Sequence, residues 1–136
     1  MIGVGYVGLV SGACFADLGN TVYCVDKDAD KIDMLNNGEI PIYEPGLDEF
    51  VRKNYLSKRL KFTTDLATAI KSSDTIFICV GTPTSKKNKS ANLQYVFKAA
   101  NDIARHINKF KIIVTKSTVP ISTGDKIEKI IFKKRN

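Results

Sequence analysis

The chain has 136 residues, 43% of them hydrophobic, and a formal net charge of +7. That length suits one globular domain with a sizeable core and is short for a cofactor domain joined to a substrate domain. No apolar run approaches the roughly 20 residues that a bilayer crossing needs, and no basic segment leads into a signal-type apolar stretch, so a soluble cytoplasmic protein without a membrane partner is expected.

In chain order, residues 2–4 read as the stub of a first strand, with only Met1 and Ile2 ahead of the first glycine. Gly3-Val4-Gly5-Tyr6-Val7-Gly8 follows at once. Glycines at this spacing let a strand turn tightly into a helix, let backbone approach a pyrophosphate, and let the helix pack on the strand. The anion then sits on the helix N-terminus. Helix is predicted over 6–18 and ends at Gly19-Asn20, a left-handed stop signal.

A β-rich run over 21–26 closes on Asp26, 18 residues after Gly8. A carboxylate there accepts hydrogen bonds from the adenosine ribose hydroxyls and repels a 2′-phosphate, which points to NAD rather than NADP. Lys27, next door, weakens that charge argument.

Further helices are predicted over 29–36, 47–54, 65–71, 93–108 and 123–133, with Asp28 or Asp30, Thr64 and Asn92 as N-caps. Strands are predicted over 60–63, 75–80 and 112–116. Residues 75–80 are apolar at successive positions, so that strand is expected to be covered on both faces. Pro41, Pro45-Gly46 and Gly81-Thr82-Pro83 mark irregular connections, and 85–90 reads as the most flexible loop. Strands alternating with helices predict an α/β fold: a Rossmann-type, doubly wound parallel sheet in a single, incomplete domain spanning 1–136. The short first strand and the stop in a helix tail both read as interruptions.

Cys14, Cys24 and Cys79 form no CxxC pair and sit in apolar stretches, so core thiols are expected rather than metal ligands. The basic clusters at 52–61, 86–89 and 133–135 come without aromatic interleaving or a recognition-helix pattern. They read as solvated surface charge, with no nucleic-acid partner. His106 has no orienting carboxylate near it in sequence and is read as a surface residue.

Several blocks together carry a resemblance: the glycine turn, Asp26 with Lys31, Pro41-Ile42-Tyr43-Glu44-Pro45-Gly46-Leu47, Phe62-Thr63-Thr64-Asp65, Val80-Gly81-Thr82-Pro83 and Lys116-Ser117-Thr118-Val119-Pro120. In this order they resemble the N-terminal cofactor domain of the UDP-glucose/GDP-mannose dehydrogenases. The segments at 43–47 and 116–120 lean towards the UDP-glucose members. The resemblance implies oxidation of a nucleotide sugar's C6 alcohol to a carboxylate by two hydride transfers to NAD. It implies that Gly3, Gly5, Tyr6, Val7 and Gly8 form the pyrophosphate turn and that Asp26 and Lys31 flank the adenosine ribose. Gly81 and Thr82 then lie beside the cofactor after a strand, and Thr118 near the nicotinamide and the reacting sugar, as the catalytic contribution of this stretch.

The family's nucleophilic cysteine, with its lysine and asparagine, belongs to a second domain not represented here, and a glutamate-bearing block would begin beyond Asn136. The aldehyde step needs that thiolate to form a thiohemiacetal and then an acyl-enzyme. The isolated chain is therefore expected to bind NAD without turning over UDP-glucose. The alternatives are a non-catalytic NAD-binding module, a split half-enzyme needing a partner chain, and a decayed fragment.

Overall fold

The computed structural model describes residues 1–85 and 90–133. Its elements are α1 (Tyr6–Asp17), β1 (Val22–Val25), α2 (Ala29–Asn36), α3 (Leu47–Leu56), β2 (Leu60–Thr63), α4 (Leu66–Ser72), β3 (Thr75–Ile78), α5 (Gln94–His106), β4 (Ile112–Thr115) and α6 (Thr123–Lys133). Each expected helix is present, as are the strands expected over 21–26, 60–63, 75–80 and 112–116, with ends displaced by no more than two residues, while the expected stub at 2–4 is reduced to a bridge at Ile2.

β1 pairs in parallel with β2, and β3 in parallel with β4. The two pairs meet at Ile2, which bridges Val25 on one side and Ile78 on the other. Ile2 donates its N–H to Phe77 and accepts from the Cys79 N–H, both at 2.8 Å. On the other side Val25 donates to the Met1 carbonyl at 2.9 Å and Gly3 donates to the Val25 carbonyl at 2.8 Å. The order across the sheet is thus β2, β1, the Ile2 segment, β3, β4, the doubly wound arrangement. The shortened first strand is a bridge at Ile2, which hydrogen-bonds to the β3 side itself while Met1 and Gly3 on either side of it bond to Val25 of β1.

Two apolar clusters fill the interior. One gathers Leu9, Ala13 and Ala16 of α1 with Cys24, Leu35, Val51, Leu60 and Phe62; the other gathers Ile76 and Ile78 of β3 with Val96, Ala100 and Ile103 of α5 and Ile127 of α6. Phe77, between Ile76 and Ile78, points the other way and meets Phe15 of α1 at 5.2 Å between ring centroids. β3 is therefore covered on both faces, as its unbroken apolar run predicts.

Three expectations are corrected. Cys14 is exposed rather than a core thiol. The buried stripe of α1 runs through Gly8, Leu9, Gly12, Ala13 and Ala16, and residue 14 falls off it. The cap of α4 is Asp65, not Thr64: Asp65 Oδ1 accepts from the Thr68 N–H at 3.0 Å. Leu93 is the N-cap residue of α5, while Asn92 just ahead accepts from the Gln94 N–H at 3.0 Å. Asp28 caps α2 as expected, and residues 86–89 of the expected flexible loop lie outside the described residues.

Three carboxylates tie the surface together. Asp17 accepts from Lys53 at 2.8 Å and from the buried amide of Asn54 at 3.0 Å. Asp74 accepts from Lys109 at 2.6 Å, and Asp65 caps α4. The hydrogen bond from Lys53 lowers the Asp17 pKa below its ordinary value of 3.8; hydrogen bonds from Thr68 and from Lys109 do the same for Asp65 and Asp74. A carboxylate with a depressed folded pKa contributes stability that is complete above the unfolded value and is lost as pH falls through the folded one. The melting temperature is therefore expected to fall on acidification below about pH 4. A variant carrying Asp17→Asn, Asp65→Asn and Asp74→Asn is expected to fall less steeply, and an identical acid profile would refute these carboxylates as the cause.

Candidate functional site: a cleft over the glycine turn

The carboxyl ends of the Ile2 segment, β1 and β3 open into a cleft of about 530 Å³. Its floor is Ile2, Gly3, Gly5, Val25 and Asp26, and one wall is Cys79, Val80 and Gly81. Open parallel sheets bind ligands at this edge, where strand order reverses. Here the reversal occurs at Ile2.

The glycine turn is built by contact. Gly3 has φ +100°, and a Cβ there would lie 2.7 Å from the Cys79 carbonyl oxygen. A Cβ on Gly8 would lie 1.9 Å from the Gly3 carbonyl oxygen, so α1 packs directly on the turn that begins it. Gly5 is the N-cap of α1, makes no side-chain cap, and has open space within 4 Å where a Cβ would project. The amino end of a twelve-residue helix thus faces the cleft without a side chain over it. Tyr6 and Val7 occupy the first turn, both exposed, and the Tyr6 hydroxyl donates to the Glu44 carboxylate.

Asp26 is held from two sides. Its Oδ2 accepts from the Val4 N–H at 2.9 Å and its Oδ1 from the Asp28 N–H at 3.1 Å. Lys31 of α2 places Nζ 3.7 Å from Asp26 Oδ2. Lys27 also lines the cleft, with its Nζ 4.9 Å from the centroid of the Tyr95 ring. Lys98 and Asp102 of α5 are paired at 2.7 Å on the same wall.

Of the residues expected from sequence, Gly3, Gly5, Asp26, Lys31 and Gly81 line the cleft. Gly8 is buried behind it. Thr82, half-buried, and Thr118, exposed, lie outside the cleft lining. Thr118 nonetheless belongs to a segment tied to the end of β3: Lys116 and Ser117 donate N–H groups to the Ile78 carbonyl at 2.9 and 3.0 Å, and the Ser117 hydroxyl donates to Val80 at 2.7 Å. The wall from α5, Tyr95, Lys98, Ala99 and Asp102, was not anticipated. Its residues are spaced three and four apart, the signal of one helix face, but nothing in sequence says which face meets the sheet edge.

Burial pushes the Cys24 thiol up to about 12 and also raises that of Cys79. Both are protonated at neutral pH, so neither offers a thiolate nucleophile. Among the described residues no group of three or more His, Cys, Asp or Glu could hold a metal ion, and no helix is long and apolar enough to cross a membrane.

The sequence profile of the UDP-glucose/GDP-mannose dehydrogenase family, NAD binding domain, matches residues 1–136. The chain belongs to that family. It is 57% identical over 131 residues to a UDP-glucose 6-dehydrogenase of Rhizobium meliloti, a match covering 96% of this chain and 30% of that one. The fold superimposes on a UDP-glucose dehydrogenase from the archaeon Pyrobaculum islandicum with a TM-score of 0.91 at 35% identity, covering 98% of this chain and 32% of that one. It also matches a GDP-mannose dehydrogenase from Pseudomonas aeruginosa with a TM-score of 0.90 at 37% identity, covering 98% and 31%. The chain therefore spans about 30% of the length of the relatives it matches and corresponds to their NAD-binding part.

The residues present fit that cofactor. A diphosphate needs backbone N–H donors at a helix N-terminus and no side chain in its way, and Gly5 leaves that end of α1 open. A ribose diol needs a fixed acceptor, and Asp26 is fixed by two backbone donors.

Proposed function

We propose that this chain binds NAD along the cleft as the cofactor-binding part of an enzyme that oxidises UDP-glucose at C6 to UDP-glucuronate. The observation that carries the binding reading is the uncapped amino end of α1 at Gly5, facing the same cleft as the doubly anchored Asp26. The 57% identity to a relative named UDP-glucose 6-dehydrogenase supports UDP-glucose over GDP-mannose.

In this reading Gly3 and Gly8 shape the turn, and the backbone at Gly5, Tyr6 and Val7 receives the pyrophosphate. Asp26 accepts from the adenosine ribose hydroxyls, and Lys31, 3.7 Å from it, orients that carboxylate. Gly81 leaves the backbone beyond β3 accessible, and the Thr82 hydroxyl supplies a polar contact next to it. Thr118, carried by the segment anchored through Ser117, serves the nicotinamide and the reacting sugar. NAD, when bound, accepts hydride from the alcohol and aldehyde carbons. The thiolate for the second oxidation comes from outside these 136 residues, because the buried Cys24 and Cys79 thiols stay protonated and the exposed Cys14 of α1 does not line the cleft.

The test is a pair of measurements. NAD is expected to raise the melting temperature of the 136-residue chain, with a stabilisation of about 2.7 kcal/mol at a hundredfold excess over Kd, while UDP-glucose with NAD yields no NADH. A chimera joining these residues to the remainder of the Rhizobium meliloti relative is expected to produce NADH from UDP-glucose. Steady turnover by the chain alone would refute the division of labour, and a folded, NAD-binding chimera without turnover would refute the enzyme reading.

A further inference from the structure

Among the described cleft residues Lys27 is a charge at odds with a preference for NAD. It directly follows Asp26, and a cation at this position is suited to a ribose 2′-phosphate, the group that separates NADP from NAD. Asp26 cannot swing aside to admit that phosphate, because Val4 and Asp28 hold both of its oxygens. Lys31 is already directed to Asp26 at 3.7 Å. The Lys27 ammonium is engaged by α5: it lies 4.9 Å from the centroid of the Tyr95 ring, the one aromatic ring among the described cleft residues. Asp102, the acidic group on the same wall, is occupied by Lys98 at 2.7 Å and Arg105 at 3.3 Å and does not compete for Lys27.

We propose that Tyr95 sets cofactor specificity by holding Lys27 over its ring, so that Lys27 is not available to a 2′-phosphate beside Asp26 and NAD is preferred to NADP. The proposal rests on the reading of the cleft as the NAD site. The attraction belongs to the ring face rather than to the phenol hydroxyl. Tyr95 is a positioning residue here, acting on the cofactor through Lys27.

The experiment is calorimetric titration of the 136-residue chain with NAD and with NADP, using Tyr95→Leu, Tyr95→Phe, and Tyr95→Leu combined with Lys27→Gln, each first checked by thermal melt. Tyr95→Leu is expected to raise NADP affinity relative to NAD about two- to fivefold, the scale of an exposed cation–π contact. Tyr95→Phe is expected to keep the original ratio, and Lys27→Gln to remove the gain made by Tyr95→Leu. A merely structural role for Tyr95 would weaken both cofactors together. An unchanged ratio in Tyr95→Leu, a phenylalanine variant that shifts as far as the leucine one, or a gain surviving Lys27→Gln would each overturn the proposal while leaving NAD binding intact. Failure of the unaltered chain to bind NAD would overturn the cleft reading and this proposal with it.

Discussion

Replacing Gly8 with alanine is expected to lower the stability of the fold by about 3 kcal/mol, the upper end of the usual range for an overpacked site. The added Cβ would stand 1.9 Å from the Gly3 carbonyl oxygen and 3.3 Å from the Cys79 Cβ. Neither obstacle is the loose end of a side chain. Gly3 is fixed at φ +100° by ladder bonding to Val25, and Cys79 is fixed by its hydrogen bond to Ile2. The helix must therefore lift from the turn, disturbing Leu9 and Ala13 in the core beneath. A domain holds only about 5–15 kcal/mol in total, so the melting temperature is expected to drop by roughly 10 °C. A drop of under two degrees would refute the close contact between α1 and the turn.

Gly5→Val is expected to do the reverse. Nothing lies within 4 Å of the Cβ direction at Gly5, and its φ of −80° and ψ of −166° are extended backbone open to any residue. The melting temperature should stay within a few degrees. The branched side chain would instead stand over the amino end of α1, where the diphosphate is proposed to sit, and NAD affinity is expected to fall at least about tenfold, equivalent to 1.4 kcal/mol. Melting curves and NAD titration of the same preparation separate the two glycines. Unaltered NAD affinity in Gly5→Val would remove the pyrophosphate from this turn.

The contrast explains why the turn was legible in sequence. Gly3, Gly5 and Gly8 are needed for three different reasons, a positive φ, an open approach and a backbone contact, and only glycine meets all three at this spacing. The parallel sheet followed from the alternation of strands and helices, and the two-sided burial of β3 from its unbroken apolar run. What stayed hidden depended on the rotation of helices about their axes. α1 is apolar on nearly every side, so its pattern could not reveal that Cys14 faces solvent. α5 has a distinct apolar face through Val96, Ala100 and Ile103, but that face says nothing of Tyr95 and Lys98 beside it reaching the cleft. The cap of α4 was misplaced by one residue because Thr64 and Asp65 are both capable caps. Only the spacing to the Thr68 N–H chooses between them. The contact of Tyr6 with Glu44, 38 positions apart, joins two blocks that sequence had left separate.

The single-residue bridge at Ile2 gives the molecule a seam. On one side stand β1 and β2 with α1 and α3; on the other stand β3 and β4 with α5 and α6. With the strands joined there by one bridging residue and α1 reaching across through Phe15 to Phe77, the two sides are expected to open at different free energies, which stepwise amide exchange would reveal. The cleft crosses that seam, with Asp26 and Lys31 on one bank and Val80, Gly81 and Tyr95 on the other. A cofactor lying there would be a rivet as well as a reagent, so that the two halves lose their independence when the site fills.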